Sequence, residues 1–172
     1  MLKLAGACLL IAAAAGLGNE EARQVKKRLD ALYQCKTLVT LLQGQIRYAG
    51  SDLEEGFREL GERLEGAFRI FCFSLSERIE DLSGSPFDEI WRGAVAELLT
   101  DSGLDQEDQH VFATVGMALG YLDVESQCRH LSNYLEQLGT VIERAETEIR
   151  QKMKLYRSLG ICAGLFLTLL LV

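Results

Sequence analysis

The sequence predicts an all-α protein: a cytoplasmic helical bundle of about five helices flanked by an N-terminal and a C-terminal transmembrane helix. Three observations predict it. In the middle of the chain apolar residues recur at steps of three and four, the spacing of one helix face, and nowhere show the two-residue alternation of a strand. Of the 43 charged residues, 42 lie within residues 19–157. The segments outside that range, 1–18 and 158–172, are apolar and carry only Lys3. A chain of 172 residues suits one domain of modest core.

The two ends come first. The runs Leu4–Gly18 and Ser158–Val172 are each 15 residues without a charge, whereas a spanning helix takes about 20 apolar residues. Met1 and Leu2 extend one run and Leu155 and Tyr156 the other, with Lys3 and Arg157 able to snorkel. Arg23, Lys26, Lys27 and Arg28 follow the first run; Arg144, Arg150, Lys152, Lys154 and Arg157 precede the second. Nine basic residues on the inner side against Lys3 on the outer side place the middle in the cytoplasm. A cleaved signal peptide ending at Ala13-Ala14-Ala15 would place it outside, and the flanking charges oppose that. The expected division is a membrane helix over 1–18, a soluble domain over 19–157 and a second membrane helix over 158–172.

Within the middle, Val25, Leu29, Leu32, Cys35, Val39, Leu42 and Ile46 mark a first helix, with Gly50 as its stop. Leu53, Phe57, Leu60, Leu64, Phe68, Phe71, Leu75, Ile79 and Leu82 mark a second, in which Gly56, Gly61 and Gly66 lie off the stripe. Ser85 as N-cap and Pro86 at the first helical position start a third, which buries Trp91 and closes near Gly103. Asp105 caps a fourth, with Asp108 three residues on, running to Gly120. Asp123 caps the fifth, whose stripe Val124, Cys128, Leu131, Leu135, Leu138, Ile142, Ala145 and Ile149 runs on toward the C-terminal apolar run.

The chemistry is sparse. Residues 19–157 carry 17 basic and 25 acidic side chains, an excess of the wrong sign for nucleic acid. Five cysteines with no CxxC spacing make no disulfide framework and read as small core residues in a reducing compartment. Cys128 and His130 stand two apart, on different sides of a helix, so they share no metal. No nucleophile has a base at a suggestive spacing, and no phosphate loop or dinucleotide fingerprint occurs. Glu59, Glu62, Glu65, Glu143, Glu146 and Glu148 alternate with Arg58, Arg63, Arg144 and Arg150 as a solvated helix face does. The expectation is a non-enzyme with no cofactor, no metal and no small-molecule substrate.

One local pattern departs from this background. Gly116, Leu119, Gly120, Asp123 and Gln127 place two glycines four apart at a helix end, then a capping aspartate and a glutamine one turn in. The glycines permit a tight corner between two helices, and Gly120 is expected at a helix end needing positive φ. The corner either sets a helix angle or docks a partner.

The start Met1-Leu-Lys-Leu-Ala-Gly-Ala7, the stretch Leu42-Gln-Gly-Gln-Ile-Arg-Tyr48, the corner Gly116–Gln127 and the close from Lys154 through Gly160 to Leu167 come in order along the chain. Together they resemble the stage III sporulation protein AB family over nearly the whole length. The resemblance implies a multi-pass protein of the mother-cell membrane around the forespore, with its soluble domain in the cytoplasm. It implies a non-enzymatic scaffold of a secretion-like complex linking the two cells, similar to the inner-membrane platform protein of type II secretion. Its implied partners are a secretion-type ATPase like stage III sporulation protein AA, other stage III sporulation membrane subunits and the lipid bilayer. The rival expectation is a membrane-tethered adaptor or sensor whose long last helix dimerises as a coiled coil.

Overall fold

The structure is a computed structural model that describes the backbone of residues 2–49, 52–81, 84–121 and 123–171, and the side chains of 23–48, 52–81, 84–120, 123–152 and 154–155. The side chains of both expected membrane spans, and Arg157, lie outside the described residues. Among the described residues no helix is long and apolar enough to cross a membrane.

The described elements are helical throughout. Helix α1 (Leu2–Gly44) continues into a π-helical turn, Gln45–Ala49, and is followed by α2 (Leu53–Arg63), α3 (Gly66–Glu80), α4 (Phe87–Leu98), α5 (Gln106–Ala113), α6 (Val115–Tyr121) and α7 (Val124–Leu171). The chain forms two compact units. One comprises Met1–Lys26 with Glu143–Val172; there Lys152 Nζ meets Glu148 Oε1 at 3.0 Å, one helical turn away. The other, Lys27–Ile142, is the bundle.

The expected stripes build that bundle. From α1, Leu32, Cys35, Val39 and Leu42 are buried, joined by Ala31 and Leu38. The expected second helix is in fact two. Leu64 and Glu65 adopt extended backbone, and Gly66 has φ +56°, a left-handed conformation that glycine adopts at no steric cost. Leu60, Leu64 and Phe68 are buried on both sides of the break, so the apolar spacing is preserved through it and hides it. Off the stripe, Gly61 lets α3 lie close on α2: a Cβ there would stand 3.1 Å from the Phe73 ring.

Helix α4 starts one residue later than expected. Pro86 occupies the N-cap, its carbonyl accepting from the amides of Glu89 and Ile90; Ser85 lies outside. The Asp105–Asp108 capping box is present, Asp108 N–H donating to Asp105 Oδ1 at 2.8 Å. The expected fourth helix, however, breaks at Thr114 into α5 and α6. Helix α7 buries Cys128, Leu131, Tyr134, Leu138 and Ile142. Leu135 is only half-buried, because Tyr134 takes its place facing the core.

Trp91 is the centre of the core. Its ring lies 5.0 Å from Phe71 and 5.1 Å from Phe112, and its indole N–H donates to the Phe112 carbonyl at 3.1 Å. Phe112 in turn reaches Tyr134 of α7 at 6.1 Å. The thiols of Cys35, Cys72 and Cys128 are free and buried, as expected of core residues. Burial pushes Cys72 up to about 12 and raises Cys35 further, so both are neutral thiols.

Arg28, expected among the membrane-flanking charges, instead ties α1 to α5. Its Nε and Nη2 donate to the two carboxylate oxygens of Asp108 at 2.7 and 2.9 Å, and Nη2 also meets Asp105 at 3.0 Å. The loop after α4 makes room for this contact: Gly103 has φ +108°, and a Cβ there would stand 2.7 Å from the Lys27 carbonyl oxygen. The Asp108 side chain is 8% exposed, so removing its partner leaves a largely desolvated carboxylate. Arg28→Ala is expected to cost about 1–3 kcal/mol of stability, read as a lower midpoint in urea with an unchanged slope.

A candidate docking groove at the α6–α7 corner

Of the five corner residues, a hydrogen bond joins Leu119 and Gln127, whereas Gly116 and Gly120 face Trp91 and Phe87 of α4. Asp123 Oδ1 accepts the Ser126 N–H at 3.0 Å, an N-cap contact on α7, and that bond holds its carboxyl below the usual carboxylate range. A depressed folded-state value means the cap contributes above the unfolded-state value and is lost as pH falls through the folded one. Leu119 is buried, and its carbonyl accepts from Gln127 Nε2 at 3.2 Å. Gln127 thus fastens the first turn of α7 to the end of α6.

The two glycines differ. Gly116 is pressed against the core: a Cβ there would lie 2.4 Å from Trp91 Cγ. Gly120 is exposed within α6, and the nearest atom to its Cβ position is Phe87 Cβ at 3.6 Å, an ordinary contact. The expectation of positive φ at Gly120 is wrong, because α6 continues to Tyr121. Among the described residues positive φ occurs at Gly66, Gly84 and Gly103.

Beside the corner opens a groove of about 240 Å³. Leu42, Gln45 and Ile46 at the end of α1 form one wall, Asp52, Leu53 and Gly56 at the start of α2 a second, and Leu119, Val124 and Gln127 the corner side. Gly56 has little solvent exposure, yet a Cβ there would meet nothing within 4 Å; it faces open space. The π-helical turn sits on this wall, and such turns are frequent at functional sites. Two glutamines hold the wall in place. Gln43 Nε2 donates to the Cys128 carbonyl at 2.8 Å and to Ser132 Oγ at 2.7 Å, and Gln45 Nε2 donates to Glu59 at 2.7 Å. Sequence reasoning identified the corner but not its meeting with residues 42–56, a long-range pairing that no spacing encodes.

Of the basic residues expected to flank a membrane, Arg23, Lys26, Lys27 and Lys154 are exposed, while Lys152 and Arg28 are paired within their units. His110 and His130 are exposed and apart from the groove. Among the described residues no three His, Cys, Asp or Glu side chains are placed to hold a metal ion, and no buried side-chain polar atom lacks a partner. The groove's resources are apolar contact, hydrogen bonding and the charge of Asp52.

Residues 3–172 match the family described as stage III sporulation protein AB. The chain belongs to that family. It is 26% identical, over 172 residues and the whole of both chains, to stage III sporulation protein AB of Bacillus subtilis (strain 168). No solved structure matches. The family name denotes a sporulation stage and not a reaction. Two of the stretches through which the sequence resembles the family, 42–48 and 116–127, supply two of the groove's three walls.

Gly116→Ala is expected to cost about 1–3 kcal/mol through overpacking against Trp91, whereas Gly120→Ala leaves stability unchanged or raises it, as alanine in a helix does. Denaturant titration of the two variants checks the contrast.

Proposed function

We propose that the chain is a non-enzymatic scaffold subunit of a sporulation-specific, secretion-like complex linking mother cell and forespore. In this reading its bundle stands in the cytoplasm, its apolar ends anchor it in the mother-cell membrane around the forespore, and its corner groove recruits a secretion-type ATPase like stage III sporulation protein AA. Sister stage III sporulation membrane subunits contact it in or near the bilayer. The observation that carries the proposal is the groove itself: a preformed apolar recess with fixed walls and no reactive constellation among the described residues, which suits binding a protein rather than transforming a substrate. The membrane part rests on the two charge-free runs. With Lys27 and Arg28 assigned to the bundle, seven basic residues still flank the inner side against Lys3 on the outer side.

The coiled-coil adaptor is the weaker reading. The face of α7 that would form a dimer seam is occupied from Cys128 to Ile142 by the chain's own core.

Gly56→Leu fills the groove without meeting a neighbour at its Cβ and improves helix propensity. In sporulating cells it is expected to reduce co-purification of the ATPase by about tenfold, equivalent to about 1.4 kcal/mol of binding. Gly120→Ala serves as the control at wild-type level. Undiminished recovery of the ATPase with the Gly56→Leu chain would overturn the docking role.

A further inference from the structure

We infer that the segment received by the groove is a basic amphipathic helix of the partner protein, its apolar face seated over Gly56 and its cations toward Asp52; this deepens the docking reading above and rests on it. The mode of contact follows from the walls. They are helical, formed by the ends of α1 and α6 and the starts of α2 and α7, so no open strand edge is offered to an extended peptide, and the apolar side chains of the lining make the contact. Leu42, Ile46, Leu53, Leu119 and Val124 give an apolar lining, with Val124 as much as 53% exposed and uncovered by the chain itself. A space of about 240 Å³ has room for side chains from one helix face.

The sign of the partner follows from charge. Asp52 is the charged residue of the lining, and it makes no side-chain cap bond on α2. Glu59 stands on the same face of α2, its carboxylate on Gln45. Asp123 precedes Val124 and is held ionised by its cap contact. The positive ends of α2 and α7 therefore each carry an aspartate of their own, which leaves the rim negative. None of the nearby cations is among the lining residues: Arg47 lies against the Tyr48 ring at 6.0 Å and beside Cys128, Arg129 donates to Ser126, and Arg58 is paired with Glu54. An apolar recess with acidic margins selects apolar residues flanked by Lys or Arg.

The test uses the full-length chain in detergent micelles and two synthetic helical peptides of about four turns. Both carry the same leucine face; one has lysine and the other glutamate on the polar face. Binding is followed by anisotropy of the labelled peptide, with empty micelles subtracted. The lysine peptide is expected to bind, more weakly as salt rises, and the glutamate peptide not to. Asp52→Lys and Gly56→Leu should each weaken the lysine peptide at least about tenfold, with thermal melts at wild-type level; Gly56→Ala, a smaller intrusion, should weaken it less. Equal binding of the glutamate peptide would overturn the inference by showing no selection for cations, and wild-type binding of the lysine peptide to the Gly56→Leu chain would overturn it by placing the attraction on the acidic surface at large. ATPase co-purification in the same variants keeps the two claims apart. Loss of the ATPase without peptide discrimination removes the inference and leaves the docking role standing. Peptide discrimination with undiminished ATPase removes the ATPase and leaves the groove's preference standing.

Discussion

Trp91 packs against Gly116, and both the break between α5 and α6 and the position of the corner depend on that contact. The indole is fully buried. Its N–H donates to the Phe112 carbonyl, the acceptor that an unbroken helix would offer to the N–H of Gly116, four residues on. The same ring occupies the space a side chain at 116 would need. One side chain therefore draws the end of α5 toward itself and seats the start of α6 against it. A leucine at 91 would supply neither the full apolar volume nor the N–H.

From that seat the groove follows by a short series of contacts. Helix α6 is brief, so fixing Gly116 fixes Leu119 one turn on. Leu119 offers its carbonyl to Gln127, which sets where α7 departs. Gln43 then binds α7 at Cys128 and Ser132, bringing the end of α1 and its π-helical turn alongside. The remaining wall, the start of α2, is held by the stacking of Phe57 on Phe87 and the tilt of both rings against Trp91. The recess is thus a consequence of the aromatic core.

The sequence was most legible where one element is long and its stripe regular. Leu32, Cys35, Val39 and Leu42 bury as their spacing implies, as do Cys128, Leu131, Leu138 and Ile142 but not Leu135, and both aspartate caps form. It was less legible where a break kept the phase. Leu64 bridges α2 and α3 as a buried residue in extended backbone, so the three-four count runs through a turn as if no turn were there, and Gly66 was the available signal. Arg28 shows another limit. It falls on the buried side of α1, three residues after Val25 and four before Leu32, a position odd for a membrane-flanking charge; its partners lie about 80 residues away and nothing local names them. The corner was legible as a corner, while the groove beside it belongs to three distant segments and exists only once they are folded together.

The glycines of the bundle illustrate how similar letters carry different physical roles. Gly61, Gly103 and Gly116 stand where a side chain would strike Phe73, the Lys27 backbone or Trp91; they are small so that elements can touch. Gly56 stands where a side chain would strike nothing; it is small and leaves space. Contact glycines act on stability, because their replacement displaces a packed neighbour. A glycine facing space has no such effect on the fold, and in a helix it is even a modest liability. Its absence of a side chain bears on whatever enters the recess. In the docking reading proposed above, the side chain missing from this helix wall is the space an incoming side chain takes.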